Sequence, residues 1–297
     1  MKEQRIWFVG LGQMGQPMAL NLLKAGVDLC VYDLNEERVA PFIALGASQA
    51  FRLQDVGEPG GIVLTMVPDD AALLAVTEGA GGLVKRLGMG GIHLSLSTIS
   101  PHVSEHLAQQ YRHTGGYYLS ATVLGRPDVA ANAALSIFLS GASCAKQRVM
   151  PLLEVLGKRM YDLGEDVKAA NVVKLGANFL ILAALEAMGE AASFVEYAGV
   201  DRELFMRMMV ESPLFAGAVY EGYGKMIGSQ DYSDARFPVR MGLKDAHLVL
   251  QAAERSGVSL PLAQIAHDHL LAAQVQGRER EDWAVLAEFV REIAVPV

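Results

Sequence analysis

The chain has 297 residues, of which 52% are hydrophobic and 20% charged, a composition typical of a soluble globular protein with enough sequence for two domains. Its formal net charge of −8 argues against partners that are nucleic acids or anionic membrane surfaces. With only two cysteines, Cys30 and Cys144, the sequence excludes a disulfide framework and fits a reducing compartment.

The first predicted elements are a strand over residues 5–9, a glycine-rich turn and a helix. The strand begins so near the amino terminus that no signal peptide is expected, and we expect a cytoplasmic protein. The turn has the pattern G-x-G-x-x-G and consists of Gly10, Leu11, Gly12, Gln13, Met14 and Gly15. Between a strand and a helix, this pattern predicts a dinucleotide-binding turn whose phosphates lie at the helix N-terminus.

Each glycine of the turn has a separate physical role in such a motif. Gly10 permits the tight turn, and Gly12 lets a pyrophosphate approach the backbone. Gly15 allows the helix to pack closely on the strand.

A second predicted strand, residues 28–32, ends at Asp33. An acidic residue at this distance from the glycines accepts hydrogen bonds from the adenosine ribose hydroxyls and repels a 2′-phosphate. Because neither Leu34 nor Asn35 supplies a cation, NAD is favoured as the cofactor, with NADP as the alternative. Asp33 could also cap a helix predicted over residues 36–45, a role compatible with the first.

Further strands over residues 61–67 and 92–96 alternate with helices, which predicts a doubly wound parallel sheet. Ligands of such sheets lie outside the carboxyl ends of the strands. Five candidate cofactor-binding positions fall at that edge, namely Gly10, Asp33, Val67, Pro68 and Thr98.

Histidine patterns do not indicate a metal site. His102 and His106 match H-x-x-E-H, but they lie on a predicted crossover helix and no third ligand is apparent. His267 and His269 are two residues apart and point away from each other on a helix. We therefore expect no metal.

Strands over residues 134–139 and 158–162 complete a predicted Rossmann domain, residues 1–166. Residues 167–297 show only helical periods, so we expect an α/β protein with a C-terminal all-helical domain. A long apolar helix over residues 169–199 joins the two domains. Its polar residues argue against a membrane span, and Lys174 and Asn178 share one of its faces. A lysine in such a helix is costly unless it has a function.

Seven motifs together resemble the β-hydroxyacid dehydrogenase family, which includes 3-hydroxyisobutyrate dehydrogenase and, more distantly, 6-phosphogluconate dehydrogenase. The first three are GLGQMGQPMALNLLKAG (10–26), TMVPDD (65–70) and LSLSTISP (94–101). The others are VVKLGANF (172–179), GLKDAHLVL (242–250), LPLAQ (260–264) and GREREDW (277–283).

The resemblance implies roles for four residues that match the family's residue types. Lys174 corresponds to the catalytic acid/base, and Asn178 to a residue that helps to hold the substrate. Thr98 lies near the nicotinamide in the family, and Lys244 corresponds to a lysine that contacts the cofactor from the second domain. The resemblance also implies a homodimer or homotetramer.

One segment, expected to form the substrate loop, departs from the family, in which this loop usually reads D-A-P-V-S-G-G. This chain has SATVLGR at residues 120–126, so Leu124 replaces the serine and Arg126 follows the remaining Gly125. Arg126 could replace the lost carboxylate contacts with a bidentate grip. Alternatively Leu124 lines a pocket for a less polar substrate, and Arg126 only precedes a helix that starts at Pro127.

The sequence thus predicts an NAD(P)-dependent oxidoreductase that acts on a small β-hydroxyacid or semialdehyde. The alternatives are imine reduction, against which Lys174 argues because imine reductases usually carry aspartate or tyrosine there, and a non-catalytic cofactor-binding module. Retention of both Lys174 and Asn178 argues against the non-catalytic alternative.

Overall fold

The computed structural model describes residues 4–79, 81–215 and 217–292. The chain divides into two compact units, Met1–Lys174 and Leu175–Val297. The predicted domain ranges, 1–166 and 167–297, stay predictions; the two units divide a few residues later, inside a long helix.

The first unit contains one eight-stranded sheet. Its strands are β1 (Ile6–Val9), β2 (Leu29–Tyr32), β3 (Ser48–Gln49), β4 (Ile62–Thr65), β5 (Ile92–Ser95), β6 (Tyr117–Leu124), β7 (Leu135–Ser140) and β8 (Gly157–Asp162). They lie in the order β3-β2-β1-β4-β5-β6-β7-β8. The first six strands are parallel, whereas β7 runs antiparallel to β6 and parallel to β8. The order reverses between β1 and β4, as in the predicted doubly wound fold.

Helices cover both faces of this sheet. They are α1 (Gly15–Lys24), α2 (Ala40–Ala44), α3 (Asp70–Glu78), α4 (Leu83–Leu87), α5 (Pro101–His113), α6 (Pro127–Ala131) and α7 (Ser143–Leu156). Two 3₁₀ turns lie at Glu36–Arg38 and Leu53–Asp55. Neighbouring residues of β1 point into different cores, because Phe8 belongs to the apolar cluster on one face and Trp7 to that on the other. Burial on both faces explains why the strands are continuously apolar.

Two local predictions for the first unit were wrong. The helix expected over residues 36–45 is a 3₁₀ turn followed by the short helix α2, with Pro41 in its first turn. Residues 120–124, expected to form a substrate loop, are the second half of strand β6, and only Gly125 and Arg126 precede helix α6.

The long predicted helix is α8 (Ala169–Tyr197), which begins in the first unit and ends in the second. Within the described residues it alone has the length and apolar composition of a membrane-crossing helix, properties that core helices of soluble proteins share. In the second unit, its Glu186 is buried and lies 3.0 Å from Nδ1 of His269.

The described residues of the second unit form helices and the loops between them, with one isolated antiparallel bridge between Pro238 and Asp282. Besides the end of α8 it contains α9 (Arg202–Glu211), α10 (Ala218–Ser229), α11 (Val239–Arg255), α12 (Pro261–Val275), a 3₁₀ turn at Trp283–Leu286 and α13 (Ala287–Glu292). The core of this unit gathers Leu182 and Leu185 of α8 with Trp283 and the helices that follow α8.

Candidate functional site

The glycine-rich turn joins β1 to α1, and its three glycines have different surroundings. Gly10 has φ +94°, and a Cβ added there would lie 2.3 Å from the carbonyl oxygen of Met66. A Cβ on Gly15 would lie 1.9 Å from the carbonyl oxygen of Gly10. At Gly12, by contrast, an added Cβ has no atom within 4 Å. Two glycines are therefore required by the fold, and the third leaves space beside the backbone.

The N-terminus of α1 follows this turn directly. Met14 precedes the helix without a side-chain cap, and the first turn has no acidic residue. Its backbone N–H groups and the positive end of the helix dipole favour an anion at this end. The turn and the helix start fit the diphosphate of a dinucleotide.

Asp33 ties the glycine turn to the end of β2. Its Oδ2 accepts from the Leu11 N–H at 2.6 Å, and its Oδ1 accepts from the Asn35 N–H at 2.8 Å. Leu34 and Asn35 supply no cation, but Arg38, which sequence reasoning missed, does: one of its guanidinium nitrogens lies 3.6 Å from Asp33 Oδ1. Asn35, rather than Asp33, caps the following 3₁₀ turn. A carboxylate and a guanidinium therefore lie side by side at the end of β2.

The two glycine environments give a direct prediction. Gly12→Ala should leave the free energy of unfolding nearly unchanged, because its Cβ enters open space, but it should weaken NADH binding where the pyrophosphate approaches. Gly15→Ala should destabilise the fold by about 1–3 kcal/mol or more, since backbone must move. Urea unfolding and fluorescence titration with NADH measure the two effects. Equal destabilisation by both substitutions would contradict this assignment.

The loops after β4 and β5 are connected by side chains. The Val67 N–H donates to Ser97 Oγ at 2.8 Å. Asp70 accepts from the Ser100 N–H at 2.9 Å and also from the Ser100 hydroxyl. These contacts fix both sides of the segment that carries Thr98. Ser97 and Asp70 are supporting residues that sequence reasoning missed, although both belong to motifs that were singled out.

The segment that departs from the family lies at the end of β6. Gly125 has φ +152°, and a Cβ there would approach Leu135 to 2.7 Å, which explains why a glycine is retained. Arg126 Nε lies 3.6 Å from Asp128 Oδ1, and the arginine side chain is 30% exposed. Helix α6 begins at Pro127 as expected, and Asn21 of α1 donates to its Ala130 carbonyl oxygen at 2.8 Å. The segment is thus attached to the helix that follows the glycine turn.

Lys174 and Asn178 lie one turn apart on α8, as the sequence predicts. Lys174 is half-buried and ends the first unit, whereas Asn178 is buried in the second.

Within the second unit, Asn178 and Lys244 contact the same carboxylate. Asn178 Nδ2 donates to Asp245 Oδ2 at 2.5 Å. Lys244 Nζ lies 2.6 Å from Asp245 Oδ1. Asp245 is only 2% exposed, so its charge is held by these two neighbours rather than by solvent. Sequence reasoning named both neighbours and missed Asp245, which directly follows Lys244 in the GLKDAHLVL motif.

His93 on β5 is fully buried and is poorly suited to act as a base. Burial lowers its pKa to about 3, so the ring has little affinity for a proton at physiological pH. Its two nitrogens contact the Thr65 hydroxyl at 2.9 Å and the Tyr111 hydroxyl at 3.1 Å. Among the described residues, no group of three histidine, cysteine or acidic side chains is placed to hold a metal ion.

A parallel sheet with its glycine turn, helix N-terminus and acidic residue at the end of β2 defines a dinucleotide-binding protein. Comparison with known sequences specifies it further. Residues 5–211 match the model of the NAD-binding domain of 6-phosphogluconate dehydrogenase. Residues 169–290 match the NAD-binding model of NADP-dependent 3-hydroxyisobutyrate dehydrogenase.

Two relatives match along nearly their whole length. The oxidoreductase YfjR of Bacillus subtilis is 39% identical over 97% of this chain and 100% of its own. The 2-(hydroxymethyl)glutarate dehydrogenase of Eubacterium barkeri is 30% identical over 96% of this chain and 94% of its own. The chain belongs to the β-hydroxyacid dehydrogenase family, and it is an oxidoreductase that uses a nicotinamide dinucleotide.

Solved structures agree with this fold. The 3-hydroxyisobutyrate dehydrogenase of Salmonella typhimurium superposes with a TM-score of 0.85 at 24% identity, covering 97% of this chain and 100% of the other. An imine reductase from Pseudomonas sp. gives a lower TM-score of 0.62 at 24% identity, over 96% and 98% of the two chains. The imine-reducing enzyme is thus the more distant neighbour.

Proposed function

We propose that the protein transfers hydride between a nicotinamide and a small β-hydroxyacid or semialdehyde, with Lys174 as the general acid/base. The observation that carries the proposal is the pairing of Lys174 and Asn178 on one face of α8, in a chain whose Asn178 is in turn held by Asp245. The 30% identical relative that oxidises 2-(hydroxymethyl)glutarate supports an acidic substrate of this size.

The nicotinamide supplies or takes the hydride, and the protein supplies placement and a proton. In reduction, the Lys174 ammonium donates a proton to the carbonyl oxygen; in oxidation, the neutral amine takes the hydroxyl proton. Asn178 has one N–H committed to Asp245, and its Oδ1 is suited to accept from the substrate hydroxyl. Gly10, Gly12, Gly15 and Asp33 would hold the dinucleotide, with Leu11, Gln13, Met14, Val67, Pro68 and Thr98 around it. Lys244 is proposed as a further cofactor ligand because it matches the lysine that contacts the cofactor in the family.

The test is a substrate panel with NADH and NADPH for reduction and with NAD⁺ and NADP⁺ for oxidation. Glyoxylate, succinic semialdehyde and tartronate semialdehyde are offered for reduction, and 3-hydroxyisobutyrate and 2-(hydroxymethyl)glutarate for oxidation. Cyclic imines form the comparison set. We expect turnover of at least one acid of the panel, faster than of any imine. Faster reduction of imines would overturn the proposal.

The same panel tests cofactor preference. Asp33 favours NAD, and Arg38 beside it supplies a contact for a 2′-phosphate. We therefore propose NAD as the preferred cofactor with measurable use of NADP. The substitution Arg38→Ala should lower the use of NADPH and leave the use of NADH unchanged.

We propose that Arg126 binds the substrate carboxylate. Its ion pair with Asp128 is long, at 3.6 Å, and partly exposed, so it holds the guanidinium only weakly. A bidentate carboxylate is the stronger partner. Leu124 and Gly125 would form the apolar wall beside it.

Arg126→Leu is therefore expected to raise KM for acidic substrates by about 10- to 100-fold, the loss of a charged hydrogen bond worth about 1.5–3 kcal/mol. A non-acidic aldehyde such as propanal should be unaffected. Arg126→Lys, the control, keeps the charge without the bidentate geometry and should lose less. An unchanged KM for acids would leave Leu124 as the determinant and favour a less polar substrate.

We also propose that the protein is a cytoplasmic homodimer or homotetramer. Large apolar side chains of α8 are exposed within the second unit, Leu180 at 69% and Phe194 at 75%. Large apolar side chains exposed in this way are typical of a subunit interface. Both cysteines are free thiols, which fits a reducing compartment. Light scattering of the purified protein decides the assembly, and a monomer at micromolar concentration would contradict it.

A further inference from the structure

The first turn of α8 is anchored to the sheet by buried hydroxyl groups. Ser140 on β7 donates to the Val167 carbonyl oxygen at 2.8 Å and accepts from the Ala170 N–H at 3.2 Å. Thr122 on β6 donates to the Ala170 carbonyl oxygen at 2.8 Å. All these groups belong to the first unit. They fix the backbone at the start of the helix, and a side chain of the same turn attaches it at a further point.

Asn171, in the same turn of α8, makes this further attachment through its side chain. Its side chain is buried, and its Oδ1 accepts from the hydroxyl of Ser104 on α5 at 2.9 Å. Its Nδ2 points to the carbonyl oxygen of Ile99 at 3.5 Å. Ile99 directly follows Thr98, so one amide connects α8 both to α5 and to the loop after β5.

The position of Asn171 on the helix gives this contact a consequence. Asn171 lies three residues before Lys174, and residues at this spacing lie on the same helix face. Any rotation of the turn that moves Lys174 must also displace Asn171 from Ser104 and Ile99. The Ser104 hydroxyl is itself buried and accepts from the Ser120 hydroxyl of β6 at 3.4 Å, so the hydrogen-bond partner of Asn171 is fixed by the sheet as well.

We propose that Asn171 is a positioning residue, which sets Lys174 relative to the loop that carries Thr98. The inference rests on the proposed role of Lys174 as proton donor. A displacement of about 1 Å at a reacting group can lower a rate by about 100-fold, so an amide remote from the substrate can have a large effect on turnover.

The substitution Asn171→Leu keeps the volume and removes the amide. It should lower kcat by about 10- to 100-fold on the panel substrate that the wild type reduces fastest, and leave the Kd for NADH near wild type. Asn171→Gln, which keeps an amide, should recover part of the loss. The matched control is Thr77→Val, because Thr77 is also buried but donates within its own helix, to Leu73. It should leave kcat unchanged.

A double-mutant cycle separates positioning from a structural role. If Asn171 acts through Lys174, Asn171→Leu lowers turnover no further in a Lys174→Ala background. Independently of activity, hydrogen exchange of the backbone amides of residues 169–176 should become faster in Asn171→Leu and stay unchanged in Thr77→Val.

Two results would overturn this inference without touching the proposed function. In the first, Lys174→Ala is impaired, yet Asn171→Leu lowers turnover by the same factor in the wild-type and the Lys174→Ala backgrounds. In the second, Asn171→Leu leaves the hydrogen exchange of residues 169–176 unchanged. Full activity of Lys174→Ala would instead overturn the proposed function, and this inference with it.

Discussion

Replacement of Lys174 by alanine is expected to lower turnover by about 100- to 10,000-fold, the usual contribution of general acid–base catalysis. Lys174 is a half-buried lysine at the point where α8 leaves the first unit. The glycine turn and Asp33, which fit the dinucleotide, are far from it in sequence and keep their own contacts. The Kd for NADH should therefore stay near the wild-type value while kcat falls.

Steady-state kinetics and fluorescence titration of NADH measure the two quantities separately. Lys168→Ala is the matched control, because Lys168 immediately precedes α8 and pairs with Glu105 at 2.6 Å in a largely solvated position. It should change turnover little, since exposed ion pairs contribute about 0–1 kcal/mol. Full activity in Lys174→Ala would remove Lys174 from the mechanism, and a loss of NADH binding equal to the loss of turnover would make it a cofactor ligand.

The sheet and the cofactor end of the fold could be predicted because their signals are local. β1, β4 and β5 are short apolar runs, each followed by a turn or a helix start. The spacing of the glycines predicts which backbone positions must lack a side chain. The structure gives the physical reason at Gly10 and Gly15, where an added Cβ meets backbone.

Strand β6, by contrast, was not predicted from the local sequence pattern. Residues 120–124 contain two hydroxyl residues among apolar ones, and they were compared with a family motif rather than with a strand period. In the structure all five residues pair with β7, and Ser120 also pairs with β5. Thr122 is buried there because its hydroxyl has a partner on α8, a contact across 48 positions of sequence.

The supporting residues of the candidate site were missed for a related reason. Arg38 is three residues beyond the positions considered next to Asp33, and the 3₁₀ turn brings it back beside the carboxylate. Asp245 is 67 residues from Asn178 along the chain. The spacing of residues along the sequence cannot predict such a contact, because the contact depends on how two helices of the second unit pack.

Asp245→Ala is expected to lower kcat/KM by about 100-fold, because it disturbs two candidate ligands at once. The buried carboxylate holds Asn178 at 2.5 Å and Lys244 at 2.6 Å. Without it, the Asn178 amide can rotate and the Lys244 ammonium loses its nearest opposite charge. A displacement of about 1 Å in a group that positions the reactants can lower the rate by about 100-fold. Unlike Lys174→Ala, this substitution should raise KM for the cofactor as well as lower kcat.

Asp245→Asn separates the two contacts. The amide oxygen can still accept from Asn178, but the neutral side chain no longer balances the charge of Lys244. Asp245→Asn should therefore keep most of kcat and lose about as much cofactor affinity as Lys244→Ala does. The effects of the two substitutions on cofactor affinity should be non-additive when they are combined. Asp268→Ala, at an aspartate whose side chain is 59% exposed on α12, is the control for removal of a negative charge from the second unit. If Asp245→Asn and Asp268→Ala behave alike, the charge of Asp245 has no part in cofactor binding. Asn178 would then be its only functional partner.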